Sequence, residues 1–125
     1  MNNNSFFKKR IQSFGPALKG IWYLLIQEKN AWIHVTLLAI AILSGRLLKI
    51  SITEWCLVAI VAGLVLAAEA LNSAIERLVD HVSPDFSKTA GIIKDLAAGA
   101  VLFTSIAAAV TGLIIFIPKI VEMLN

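Results

Sequence analysis

The sequence predicts an all-α membrane protein of one domain, with three transmembrane helices preceded by an amphipathic helix on the membrane surface. Three observations carry this. Of the 125 residues, 58% are hydrophobic and only 15% charged, against roughly half and a quarter in a soluble domain. The apolar residues come in long blocks with the charges gathered between them, which suits several bilayer spans better than one apolar soluble core. The length leaves no room for two separate cores, so residues 1–125 read as a single unit.

The elements follow in order. Residues 5–27, SFFKKRIQSFGPALKGIWYLLIQ, mix Phe, Ile, Trp and Leu with Lys and Arg. A helix lying on the membrane suits this mixture, and Pro16 is expected to break or bend it. The basic N-terminus has no apolar core or small-residue cleavage site behind it, so it does not read as a signal peptide. The first crossing is residues 31–48, with Trp32 at one interface and Arg46 and Lys49 leaving through the other. It is short and relies on tilt or on snorkelling by Arg46. His34, near its start, is read as structural or interfacial. The second crossing is residues 53–82, with Thr53 as N-cap, Glu54 in the first turn and Trp55 as interface anchor. VSPDFS, residues 82–87, is the break: Pro84 stops one helix and Ser83 or Asp85 caps the next. The third crossing is residues 88–118, ending at Pro118. Ala97, Ala98, Gly99 and Ala100 make its start slim enough for close helix contact in lipid.

Lys8, Lys9, Arg10, Lys19 and Lys29 precede the first crossing, and Arg77, Lys88 and Lys94 flank the second break. Only Arg46, Lys49 and Lys119 mark the opposite side. The positive-inside rule therefore sets the N-terminus and the second break in the cytoplasm and the C-terminus outside. The net charge of +3 is spread along the chain without interleaved exposed aromatics, which argues against nucleic acid and leaves acidic headgroups or a nucleotide triphosphate as partners. The single cysteine, Cys56, lies in an apolar run and supports neither a disulfide framework nor a cysteine metal site.

The chemistry lies in EALNSAIERLVD, residues 69–80. At 100° per residue, Glu69, Glu76 and Asp80 fall within about 40° of one another, with Asn72 about 60° to one side. Counted from Trp55, Glu69 sits ~21 Å along the helix and ~9 Å short of the far surface of a ~30 Å hydrocarbon core. An ordinary helix end emerging into water accounts for Glu76, Arg77 and Asp80, and a polar seam can glue helices together. Neither explains Glu69, since ionisable groups at that depth mark functional paths. Lys94 and Asp95 open the third helix and Glu28 closes the surface helix, all at the same level. Carboxylates hold Mg²⁺, which carries nucleotide phosphates. A lysine neutralises a transferred phosphoryl group, and a desolvated carboxylate can act as general base toward a hydroxyl. This set suits phosphoryl transfer from ATP to a lipid alcohol without a phosphate loop, for neither GxxxxGK[ST] nor GxGxxG occurs. A non-enzymatic membrane scaffold or subunit, and a small cation or proton carrier using Glu69, remain as alternatives.

EALNSAIERLVD (69–80) and IKDLAAGAVL (93–102) resemble the E-x-x-N-[ST]-A-x-E-x-x-x-D and K-D-x-x-[AS]-[AG]-A-V patterns of the prokaryotic integral-membrane diacylglycerol and undecaprenol kinases. KGIW (19–22), Glu28 and GLIIFIPK (112–119) extend the resemblance over nearly the whole chain. It implies three transmembrane helices with a surface helix, a homotrimer with sites shared between subunits, and an ATP- and Mg²⁺-dependent lipid kinase of the inner membrane acting in phospholipid or envelope-lipid recycling. It also implies Glu69 as catalytic base and Glu28 and Glu76 as ligands of the metal that travels with ATP. Asn72, Lys94 and Asp95 would support the phosphates and the base, Lys9 or Arg10 would contact the nucleotide, and Ala98 would lie near the lipid. Many family members carry an aromatic-His pair in the loop before the third helix. Here that loop, the expected nucleotide contact, holds Asp85, Phe86 and Ser87, with Lys88 following.

Overall fold

The computed structural model describes residues 3–85 and 87–125, with side chains from Gln12 onward. The expected nucleotide contacts at Lys9, Arg10 and Phe86 fall outside the residues so described. The described residues form four helices: α1 (Asn3–Gln27), α2 (Lys29–Leu47), α3 (Ile52–Val82) and α4 (Lys88–Leu124). The last three are long and apolar enough to cross a membrane. At 1.5 Å per residue α2 spans about 28 Å, the thickness of the hydrocarbon core, whereas α3 and α4 exceed it. Counted from Trp55, the surplus of α3 begins near Glu76, so Glu69 and Asn72 lie within the crossing and Asp80 beyond it.

Neither internal proline ends its helix. α1 runs through Pro16 and α4 runs through Pro118 to Leu124. A proline removes one amide donor and crowds one carbonyl, which a helix of 25 or 37 residues absorbs where the bonds on either side persist. The continuation of α4 sets Lys119 beside Glu54, Nζ to Oε2 3.6 Å.

The caps also differ. Ser51, not Thr53, caps α3: its Oγ accepts from the Glu54 amide at 3.2 Å, and Glu54 Oε2 accepts from the Ser51 amide at 2.6 Å. The S-x-x-E spacing allows this reciprocal box, which a cap at Thr53 could not form with Glu54. α4 is capped by Ser87, whose Oγ accepts from the Ala90 amide at 3.4 Å, rather than by Ser83 or Asp85. Ser83 instead ends α3, its amide donating to Val79.

The α2–α3 turn is a Schellman closure. The Ile50 amide donates to the Gly45 carbonyl at 3.1 Å and the Lys49 amide to Arg46 at 3.4 Å, with Lys49 in the left-handed region at φ 50°. Ile50 folds back over Gly45, where an added Cβ would stand 2.9 Å from both Ile50 Cδ1 and Trp55 Cη2. From here α3 runs antiparallel to α2, and α4 runs antiparallel to α3. Ile50, Val58 and Ile115 form the buried apolar cluster, with Leu38, Trp55 and Phe116 against it. α4 faces inward along Ala97, Val101, Thr104, Ala108, Thr111 and Ile115, a three–four spacing that keeps one stripe on its neighbour. Its small residues let backbones approach. Leu102, Phe103, Ile106 and Ile114 on the opposite side stay exposed. α1 touches the bundle near its C-terminal end, where Leu24 is buried; Phe14, Leu18, Ile21 and Trp22 are exposed.

Candidate active site

The buried polar groups of the described residues are all on α3: Glu69 (2% exposed), Asn72 and Ser73. They sit where the helix changes from Val, Leu and Ala to a mixed sequence, on the side facing the other helices. Glu69 is thus turned inward, away from lipid. Asn72 Nδ2 donates to Glu76 Oε1 at 3.0 Å, one turn on, and fixes that carboxylate. The other end of the same amide, Oδ1, is buried with no hydrogen-bond partner among the described residues. Burying a carbonyl without a partner is unfavourable by about 1–3 kcal/mol.

Glu69 is still less provided for. Among the described residues its carboxylate makes no hydrogen bond; the one polar contact is His34, Nε2 to Oε2 3.9 Å, beyond hydrogen-bond reach. The imidazole comes from the second turn of α2, docked by Ala31, which is completely buried.

A second cluster joins α1 to the end of α3. Arg77 donates to Glu28 Oε1 and to the Tyr23 hydroxyl, each at 2.8 Å. Its guanidinium also lies 4.7 Å from the Tyr23 ring centroid. A third pair, Lys94 with Asp80, ties the start of α4 to the end of α3.

The expected residues are therefore distributed unevenly. Glu69, Asn72 and Glu76 form one continuous strip. Glu28 reaches the same end of α3, where its Oε1 accepts from Arg77. Lys94 bonds Asp80 rather than standing with Asp95. Asp95 and Ala98 are exposed on a flank of α4 turned away from α3; Asp95 lines a shallow groove there with Gly99 and Phe103. Asp85 is exposed in the turn, its carbonyl accepting from Ser83 Oγ at 3.4 Å, and Ser87 uses its hydroxyl as the α4 cap. The single layer expected from counting along each helix becomes separate clusters because azimuth, not depth alone, decides which side chains meet.

His34, Tyr23 and Arg77 contact the expected residues, and sequence reasoning did not place them there. A signal for His34 exists: Ala31, His34, Leu38, Ala41 and Gly45 recur at three–four spacing, the buried stripe of α2. Arg77 was absorbed into an ordinary helix end.

Among the described residues, no three His, Cys, Asp or Glu side chains gather as a resident metal site. A Mg²⁺ arriving with a nucleotide keeps phosphate and water ligands and takes one or two carboxylates. Glu76, held by Asn72 through one oxygen, and Glu28 fit that smaller requirement.

An apolar cavity of about 470 Å³ lies between α2, α3 and α4, lined by Leu38, Ala41, Val58, Val65 and Phe116, with His34 its only ionisable wall among the described residues. A second, about 520 Å³, follows the α3–α4 groove past Asn72, Ala97 and Thr104.

The family model for prokaryotic diacylglycerol kinase matches residues 15–116. The undecaprenol kinase of Bacillus subtilis is 36% identical over 117 residues, covering 94% of this chain and 92% of that protein. The diacylglycerol kinase of Escherichia coli K12 is 31% identical over 122 residues, covering 91% and 93%. With its polar strip on a transmembrane helix and this similarity along nearly its whole length, the chain belongs to the prokaryotic diacylglycerol kinase family of membrane lipid kinases.

Proposed function

We propose that the protein transfers the γ-phosphate of ATP to the hydroxyl of a membrane lipid alcohol at the cytoplasmic face of the inner membrane. The observation that carries this is Glu69, a carboxylate 2% exposed yet free of hydrogen bonds among the described residues. An unsatisfied buried carboxylate is expensive to keep, and such groups persist where a substrate supplies the missing partner.

Glu69 accepts the proton of the lipid hydroxyl as its oxygen bonds to the γ-phosphorus; the bond from that phosphorus to the β–γ bridging oxygen breaks and ADP leaves. Asn72 holds Glu76 in one orientation, and Glu76 with Glu28 would hold a Mg²⁺ carried by the nucleotide, which when bound would supply neutralisation of the phosphate charge. Lys94 turns from Asp80 toward the transferred group, while Lys9, Arg10, Asp85, Phe86 and Ser87 supply nucleotide contacts. Catalysis is then chiefly positioning and electrostatics.

Asp95 and Ala98 stand away from Glu69 within one chain, on the slim flank of α4. This supports a homotrimer in which a neighbouring copy brings phosphate-supporting and lipid-contacting groups to each site. α1, with Phe14, Leu18 and Trp22 exposed, lies on the membrane surface as an amphipathic helix and covers the nucleotide. Undecaprenol is the favoured acceptor and diacylglycerol the second. The KDLAAGAVL run and GLIIFIPK ending suit the former, as does the higher identity to the undecaprenol kinase, 36% against 31%.

The test is labelled ATP offered with each lipid to protein purified in lipid. Phosphorylated lipid is expected, with kcat lowered about 10²–10⁴-fold in Glu69→Gln; wild-type turnover by a folded Glu69→Gln protein overturns the assignment.

A further inference from the structure

We propose that His34 is a second ligand of the acceptor hydroxyl. The alcohol oxygen sits between His34 Nε2, which donates to it, and Glu69 Oε2, which takes its proton. This rests on Glu69 as base.

The separation of the two side chains is the first argument. At 3.9 Å they are too far apart to bond each other, yet an oxygen at ~2.8 Å from each fits between them with an angle near ~90°. A carboxylate and an imidazole meant only to pair would close to a direct hydrogen bond, as Glu28 and Arg77 do at 2.8 Å.

Access is the second. The Glu69 side chain is 3% exposed and that of His34 18%, and it is His34 that lines the apolar cavity, so a molecule lying in that cavity meets the imidazole first.

The third is the cavity. Among the described residues His34 is the sole ionisable group on the wall of the 470 Å³ apolar space, which follows α2 from His34 to Ser44, ~15 Å at 1.5 Å per residue. Ser44, Ser105 and Thr111 also face this space, but of its polar walls only His34 stands against Glu69. Ala31, completely buried one turn earlier, fixes the rotation of α2 and thereby the direction of the imidazole.

In the step itself His34 keeps its proton. Nε2–H donates to one lone pair of the alcohol oxygen and leaves the other directed at phosphorus. The alcohol proton passes to Glu69 as the new O–P bond forms and ADP departs.

The experiment compares full-length wild type, His34→Leu, His34→Gln, His34→Asn and Glu69→Gln in lipid, reading kcat and KM separately for lipid and ATP. His34→Leu is expected to lower kcat/KM for the lipid about 10–100-fold, as when a site built to bond a hydroxyl loses one of its partners, with KM for ATP within about twofold. His34→Gln, whose amide nitrogen reaches the Nε2 position, should recover most of the loss, and His34→Asn, which reaches only Nδ1, should not. A long-chain alcohol should inhibit wild type better than the alkane of equal length, and that preference should vanish in His34→Asn but persist in His34→Gln. This comparison decides the matter even where the Leu variant does not fold. Unchanged lipid kcat/KM in His34→Leu, an equal rise in ATP KM, Gln no better than Asn, or alcohol preference kept in His34→Asn overturns the proposal. If Glu69→Gln is inactive while His34→Leu is normal, the base stands and only the second ligand falls. If Glu69→Gln turns over normally, the base itself is wrong.

Discussion

Where α2 hands over to α3, Ile50 and Trp55 close over Gly45, and Ser51, Glu54 and Lys119 satisfy one another in a short chain of contacts. At the other end of the same helix, Glu69 and Asn72 are more deeply buried than those polar groups, yet among the described residues one lacks any hydrogen bond and the other holds an orphaned oxygen. The first end is complete within a single chain. The second is tied together by Asn72–Glu76, Arg77–Glu28 and Lys94–Asp80, yet leaves the Glu69 carboxylate and the Asn72 carbonyl without a hydrogen bond among the described residues. In a lipid environment, where packing and internal hydrogen bonds replace hydrophobic association, that contrast separates the part of the bundle that holds it together from the part that works.

The contrast breaks most visibly at Asn72. Asn72→Leu should lower lipid-kinase turnover by at least about 10²-fold, because Glu76 loses its orienting donor, while stability in detergent stays the same or rises through removal of the orphaned oxygen, worth about 1–3 kcal/mol. Activity and a thermal-denaturation midpoint, measured on one preparation, check both halves. A variant that loses activity and stability together would make Asn72 a structural seam instead.

Gly45→Val is the mirror experiment. Its Cβ would come within 2.9 Å of Ile50 and Trp55, and overpacking of this kind costs about 1–3 kcal/mol. The expected outcome is a lower midpoint with turnover per folded molecule unchanged, since Gly45 lies at the end of α2 opposite His34.

The same two ends show what the sequence disclosed. The helix count and the strip Glu69–Asn72–Glu76 were legible because both follow from period: long apolar runs fix the crossings, and 100° per residue puts those side chains on one face. What crosses between helices was not. The pairing of Arg77 with Glu28 and Tyr23, and of Lys94 with Asp80, depends on rotations that no single helix encodes, so residues read as one layer separated into three clusters. Caps were misjudged by local ambiguity: Ser51 and Thr53 both precede Glu54, and only the three-residue spacing selects Ser51. Pro16 was read as a break or a bend, and the break did not occur: α1 continues through it. His34 was readable, since it falls on the stripe Ala31–Leu38–Ala41–Gly45, but a lone imidazole near a membrane boundary invites an interfacial explanation.

Ser51→Ala should have a smaller effect than Gly45→Val. It removes the acceptor for the Glu54 amide at 3.2 Å, a loss of about 1 kcal/mol for an N-cap. Glu54→Gln should add to this only in part, because both act on one box. A double-mutant cycle on unfolding free energy measures the coupling, and simple additivity would show that the two bonds are independent.

The smallest expected change is a gain. Lys49 occupies the left-handed position of the Schellman turn at φ 50°, where a side chain costs roughly 1–2 kcal/mol and glycine nothing. Glycine also gives up more freedom on folding, so Lys49→Gly should stabilise by only about 0.5–1 kcal/mol. Turnover should not move, since the turn shares no contact with His34, Glu69 or Glu76. A rise in midpoint with altered kinase activity would mean that the α2–α3 turn is coupled to the polar end through α2, and that the bundle's two ends are not independent after all.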